Sequence, residues 1–202
     1  MATVTLSTPE INQLPPMPPH RFTVEQYHQM IEAGILTEND RVELLEGWIL
    51  PKMPHNPPHD ATISLAQNEL SGRVPADWVI RIQSAITTGD SEPEPDITVA
   101  LGPARRYLSF HPRTRDIGLI VEVSDTTLTY DRTFKGRLYA RARISVYWII
   151  NLLESQVEVY TRPKAGKLPG YQHRQDYAPG DRIPLLFGER EIGPIPARNI
   201  LP

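Results

Sequence analysis

Cysteine is absent from the 202-residue chain. Disulfides, thiolate zinc sites and cysteine nucleophiles are therefore excluded, and the composition fits a reducing compartment. No apolar run approaches the roughly 20 residues of a membrane span. The N-terminus lacks the basic-then-apolar order of a secretory signal. The expectation is a soluble, cytoplasmic protein with no membrane partner. A Gly-rich phosphate loop, a dinucleotide fingerprint and an internal repeat are also missing. So is the Gly-x-Ser-x-Gly turn that would place Ser124 and Asp125 in a hydrolase triad. What remains is an ordinary globular composition, 40% hydrophobic and 22% charged, long enough for one domain with decorated ends.

The net charge of −3 argues against wholesale nonspecific nucleic-acid binding, but it is unevenly spread. From Pro103 to Arg143 nine Lys or Arg residues face four acids, so that segment carries +5 and the rest of the chain −8. A local basic surface can hold phosphates on an acidic protein. Arg132, Arg137 and Arg141 are the candidates for such contacts, and a solvated helix face is the alternative.

Residues 1–20 carry five prolines without periodicity and read as a flexible lead-in to one domain over 21–202. Thr23 predicts the cap of a helix over Val24–Ala33, ended by Gly34. Arg41–Leu50 alternates as a strand, with Gly47 as a bulge. A helix follows the proline-rich loop, from about Asp60 to Ser71. Strands are predicted at Trp78–Ala85, Ile97–Ala100 and Ile117–Val123. Beyond them come a helix from about Asp131 to Arg143, with Phe134, Leu138 and Ala142 as its buried stripe, and a strand pair at Val146–Asn151 and Gln156–Thr161. Residues 164–202 form a Pro/Gly-rich C-terminal extension, with short strands near Tyr171 and Arg182. This order predicts an α/β or α+β core, a mixed sheet covered by helices.

Within Ile117–Ser124, six of eight residues are apolar or glycine around a single acid, Glu122. Such a run reads as a strand buried on both faces, where a carboxylate is costly unless hydrogen-bonded, paired or bound to a cation. Three more polar groups stand out: Glu43 in a strand pattern, Asp96 after Pro95 at a strand start, and Lys135 on the following helix. Carboxylates from neighbouring strands can converge on one hard divalent cation. Such an ion polarises a phosphoryl oxygen and lowers the pKa of a bound water. A lysine beside it can orient that water and offset developing charge. Glu46 rivals Glu43, since either can face solvent. His55 and His59 have the spacing of a helical zinc pair, but Pro57 and Pro58 argue against a helix between them, and the zinc reading is set aside.

The order of these pieces resembles the PD-(D/E)XK nuclease superfamily, and more closely its restriction-endonuclease-like Uma family. The resemblance runs over about residues 21–163. It rests on Glu43-Leu-Leu-Glu-Gly47, His59, Pro95-Asp96, Val121-Glu122-Val-Ser124, Asp131 to Lys135, Tyr139 and Val146-Tyr-Trp-Ile149. It implies a restriction-endonuclease-like core and a divalent-metal-dependent endonuclease cleaving DNA phosphodiester bonds. Asp96, Glu122 and Glu43 would bind Mg²⁺, with Mn²⁺ as a substitute, and Lys135 would complete the catalytic set. A homodimer on DNA is also implied. One departure matters: two residues after Glu122, where the superfamily usually has lysine, stands Ser124. The resemblance moves that role to Lys135. The rival reading is a nuclease fold kept as a DNA-binding or interaction module; hydrolysis of another phosphate ester is a third. Tyr139, one turn after Lys135, can share its face or belong to the core.

Overall fold

The computed structural model describes residues 17–187 and 190–202, so most of the proline-rich lead-in lies outside the described residues. The first helix, α1 (Val24–Glu32), opens with a capping box between Thr23 and Gln26. Two strands follow, β1 (Val42–Leu45) and β2 (Trp48–Pro51), paired antiparallel. The expected single strand with a bulge is thus a hairpin. Glu46 (φ 50°) and Gly47 (φ 80°) are its two turn residues, and positive φ at both suits a tight hairpin turn. A side chain at Gly47 would also collide with Arg21, 2.7 Å from its Cβ.

Helix α2 (Pro57–Ser71) starts three residues earlier than the sequence suggests. Pro57 and Pro58 occupy its first turn, where a missing N–H is harmless. Asn56 caps it by accepting from the His59 backbone N–H at 3.1 Å. The two prolines therefore launch a helix, with His59 in its first turn and His55 outside it, so no helix joins the two histidines.

The core is a six-stranded sheet in the order β3 (Trp78–Ile82), β4 (Ile97–Leu101), β5 (Ile117–Ser124), β6 (Val146–Asn151), β7 (Gln156–Lys164), β8 (Gly170–Tyr177). Strand β3 stops at Ile82 because Gln83 takes a left-handed φ of 44°. Only β5 and β6 run parallel; every other pair is antiparallel. A parallel pair requires a crossover, and here it is a continuous helical run: α3 (Leu128–Tyr130), a π-helical turn (Asp131–Lys135) and α4 (Gly136–Arg141). This is the mixed, helix-flanked sheet that the sequence pattern predicts.

All eight residues of β5 are buried. Leu119, Val121 and Val123 join α2 (Ile63, Ala66, Leu70) in one core cluster. The hairpin of β9 (Arg182–Phe187) and β10 (Arg190–Pro196) packs there too, through Ile183, Leu185, Phe187 and Ile195. Ile120 faces the other way, into a cluster with Leu138, Tyr139, Tyr147 and Ile149. Glu122 shares the parity of Ile120 and so points to the side of the crossover helix. Among the described residues no helix is long and apolar enough to cross a membrane.

Candidate active site

Antiparallel pairing sets Ile97 of β4 opposite Val121 of β5. Asp96, one residue before β4, therefore stands across from Glu122, and directly opposed residues share a face. Asp96 Oδ2 accepts from the Val123 backbone N–H at 2.8 Å and lies 3.2 Å from His59 Nε2. Glu122 Oε1 accepts from Lys135 Nζ at 2.9 Å and from Tyr139 Oη at 2.6 Å. Both donors come from the crossover helix, Lys135 at the end of the π-helical turn and Tyr139 in α4. Turns of this kind carry an extra residue and are frequent at functional sites.

Asp131 completes the inner group. Its Oδ2 accepts from Ser124 Oγ at 2.6 Å and Thr127 Oγ1 at 2.7 Å, and its Oδ1 is 3.9 Å from Lys135 Nζ. Ser124 is thus spent on Asp131. Glu43 reaches in from β1, where its Oε2 accepts from the Glu94 backbone N–H at 3.1 Å. Its rival Glu46 sits at the hairpin turn and pairs with Arg137 and Arg141 instead. Glu43, Asp96, Glu122, Asp131, Lys135 and His59 all line one cavity of about 630 Å³.

Burial is the largest influence on the Glu122 carboxyl and pushes it up to about 8, against the pull of the Lys135 ammonium. Burial alone would lower Lys135, but the carboxylates of Glu122, Glu43, Asp131 and Asp96 outweigh it and hold the ammonium well above its usual value. Asp96 is lowered: burial works against it, but the His59 hydrogen bond and the His59 and Lys135 charges prevail. Burial and the Glu122 charge push the Tyr139 phenol well up, so it stays a donor. Four carboxyl groups around one ammonium leave an excess of negative charge in a cavity that opens to solvent. Hard oxygen donors of this kind suit Mg²⁺ or Mn²⁺, so these residues fit such an ion.

The helix arginines do something other than wait for phosphates. Arg132 forks onto Glu158 and reaches Glu154, Arg137 pairs with Glu46, and Arg141 pairs with Asp90. Much of the basic segment is neutralised within the chain. The predicted stripe is also rotated: Asp131, Leu138 and Tyr139 are buried, while Phe134 is half-buried and stacks on Tyr130.

Sequence reasoning left three contributors unassigned. Asp131 precedes Lys135 by four residues, one helical turn, and that spacing was the available signal. Tyr139 is fully buried yet aims its hydroxyl at Glu122, so core and site are the same place for it. His59 reaches Asp96 because α2 begins at the prolines.

A family model, Uma2, described as “Putative restriction endonuclease”, matches residues 24–192. Among solved structures, a crystal structure of “a putative nuclease belonging to DUF820” from Anabaena variabilis ATCC 29413 superimposes with a TM-score of 0.63 at 16% identity. The match covers 89% of this chain and 97% of that one, and at this identity it speaks to the fold. Among curated proteins no sequence matches the chain.

Proposed function

The chain belongs to the Uma2 family, described as “Putative restriction endonuclease”, and from that membership and the carboxylate cluster we propose that it is a divalent-metal-dependent endonuclease hydrolysing DNA phosphodiester bonds. The observation that carries the reading is the juxtaposition on Glu122: a buried carboxylate across from Asp96, held by the Lys135 ammonium at 2.9 Å. Asp96 and Glu122 would hold Mg²⁺, with Mn²⁺ as a substitute and Glu43 contributing directly or through a water. When bound, such an ion polarises a phosphoryl oxygen and lowers the pKa of a coordinated water.

The protein's own groups supply the rest. Lys135 orients the attacking water and offsets charge developing on the phosphate. Tyr139 fixes the Glu122 rotamer by donating to Oε1, which leaves the second carboxylate oxygen available to a cation that Glu122 would hold. Asp131 steadies Lys135 from the other side and is itself held by Ser124 and Thr127. The lysine role passes to Lys135 because position 124 holds a serine engaged with Asp131. A homodimer, implied by the resemblance, would present two such sites to two strands.

Plasmid cleavage with and without Mg²⁺ tests this. Mg²⁺-dependent nicking or linearisation is expected, with no turnover of nucleotides or small phosphate esters. Mg²⁺-independent DNA binding without cleavage would favour an interaction module built on the same fold.

A further inference from the structure

Three side chains converge at the start of α2, outside the carboxylate cluster. His55 Nδ1 lies 3.5 Å and His59 Nδ1 3.7 Å from Asp60 Oδ1. One donor atom from each of the three lies within 4.8 Å of the others. In a tetrahedral site with metal–nitrogen and metal–oxygen bonds of about 2.0–2.1 Å, donors stand roughly 3.4 Å apart. The two histidine–Asp60 distances are close to that.

A second observation bears on His59 itself. Its Nε2 faces Asp96 Oδ2 at 3.2 Å. An ionised carboxylate can only accept, so Nε2 carries a proton, and in the neutral ring that a metal would bind the lone pair is on Nδ1. That Nδ1 is buried and has no hydrogen-bond partner. Asp60 at 3.7 Å is too far to accept a proton placed there. An imidazole that donates one N–H to a carboxylate and aims its free nitrogen at a cluster of donors has the arrangement of a metal-bound histidine. The Asn56 cap helps to set it up. It seats His59 in the first turn of α2 with His55 just outside, and the two rings stack at 4.3 Å. Their planes differ by 23°. His55 is on the exposed side of the pair, and its Nδ1 meets the Gln83 side-chain amide at 2.9 Å, a contact that a shared ion would replace.

We propose that His55, His59 and Asp60 form a second cation site, one that takes a borderline divalent ion of the zinc class. Its ligands differ in kind from the all-oxygen cluster, since imidazole suits zinc, cobalt, nickel or copper and Mg²⁺ prefers oxygen. Three protein ligands leave a fourth position for water. His55 and His59 both line the cavity, so that position is within reach of a bound phosphate. Asp96 links the two centres, because it orients His59 and also belongs to the carboxylate group. The proposal stands whether or not the chain cleaves DNA.

Metal-free protein titrated with Co²⁺, read by visible absorption and then displaced with Zn²⁺, tests the site. In the parent, one equivalent should give the intense bands of a low-coordinate, nitrogen-ligated cobalt, unaffected by excess Mg²⁺. Glu122→Gln should keep those bands. His55→Ala changes an exposed side chain, so it should fold normally by circular dichroism yet lose the bands and weaken Zn²⁺ binding tenfold or more; Asp60→Asn should weaken it less. Absence of the bands in the parent, or their survival in folded His55→Ala, overturns the proposal. Loss of the bands in Glu122→Gln also overturns it, by assigning the cobalt to the carboxylates.

Discussion

Glu122 concentrates the site's chemistry in one side chain. Both of its donors, Lys135 and Tyr139, meet Oε1. Among the described residues no hydrogen bond reaches Oε2, the oxygen left for a cation. Glu122→Gln should therefore retain the fold, because an amide oxygen still accepts at the Oε1 position. It would present an NH₂ where the ion belongs. Mn²⁺ affinity measured by calorimetry should fall by on the order of tenfold or more, since a neutral amide is a poor ligand for a hard cation. Unchanged affinity in a folded variant would remove Glu122 from the ligand set. A different single residue explains the fate of the helix arginines. Glu158 is fully buried and accepts from Arg132, Asn151 and Tyr160. Arg132→Ala leaves that carboxylate short of its main partner, which should cost about 1–3 kcal/mol. Burial raises the Glu158 carboxyl, but the Arg132, Tyr160 and Asn151 hydrogen bonds outweigh it, so it lies below its usual 4.5. The native state then binds fewer protons than the unfolded one. This stabilisation is present above about pH 4.5 and is lost as pH falls through the native value. Urea unfolding at pH 7 and at low pH should show the Arg132→Ala deficit shrinking in acid; a constant deficit would mean the lost contact is not electrostatic.

At the scale of elements, β5 and the crossover helix make the site together. The β5 strand was legible in the sequence because a lone acid in an apolar run has few structural explanations. The Asp96 position was legible from its place at a strand start. The hairpin at Glu46–Gly47 was not, because a two-residue turn and a bulge leave the same alternating pattern. Nor was the π-helical turn, whose extra residue brings Asp131 and Tyr139 to the buried face beside Leu138 and leaves Phe134 at the rim. No periodicity of 3.6 foretells such an insertion. The start of α2 is not legible at Pro57 because prolines that stop one helix can open another. The strand also offers a test of the relocated lysine. Residue 124 shares the face of Glu122, and its Oγ already contacts Asp131. Combining Ser124→Lys with Lys135→Ala places an ammonium beside the same carboxylate from the strand. Partial recovery of cleavage over Lys135→Ala alone is expected; none, in a folded double variant, would mean that an ammonium at 124 does not reach the reacting water.

For the molecule as a whole, the basic segment turns out to be largely internal wiring. Arg132, Arg137 and Arg141 each pair with acids of other elements. The exposed arginines at 105, 113 and 115 follow β4 and precede β5, at the end of those strands away from Asp96 and Glu122. Nearer the chemistry, the cations lining the cavity besides Lys135 are Arg41 and Lys52. Lys52 pairs with Glu94, while Arg41 makes no ion pair among the described residues. If the cavity receives a DNA strand, Arg41 is the residue placed to meet its backbone. Arg41→Ala should flatten the dependence of log affinity on log salt by about 0.9, one phosphate contact. Arg137→Ala should leave that slope unchanged. The reverse pattern, read by fluorescence anisotropy across a salt series, would return phosphate binding to the helix.

The most direct measurement is Mg²⁺-dependent cleavage of plasmid DNA by Lys135→Ala, run beside its Mn²⁺ affinity. Removing the one ammonium among four carboxylates leaves the cation's ligands in place, so metal should still bind, as tightly as before or more so. The loss of an electrostatic stabiliser of the transition state is worth roughly 3–4 kcal/mol, so the rate should fall by about 10²–10³. Full Mg²⁺-dependent cleavage by the folded variant would contradict the account.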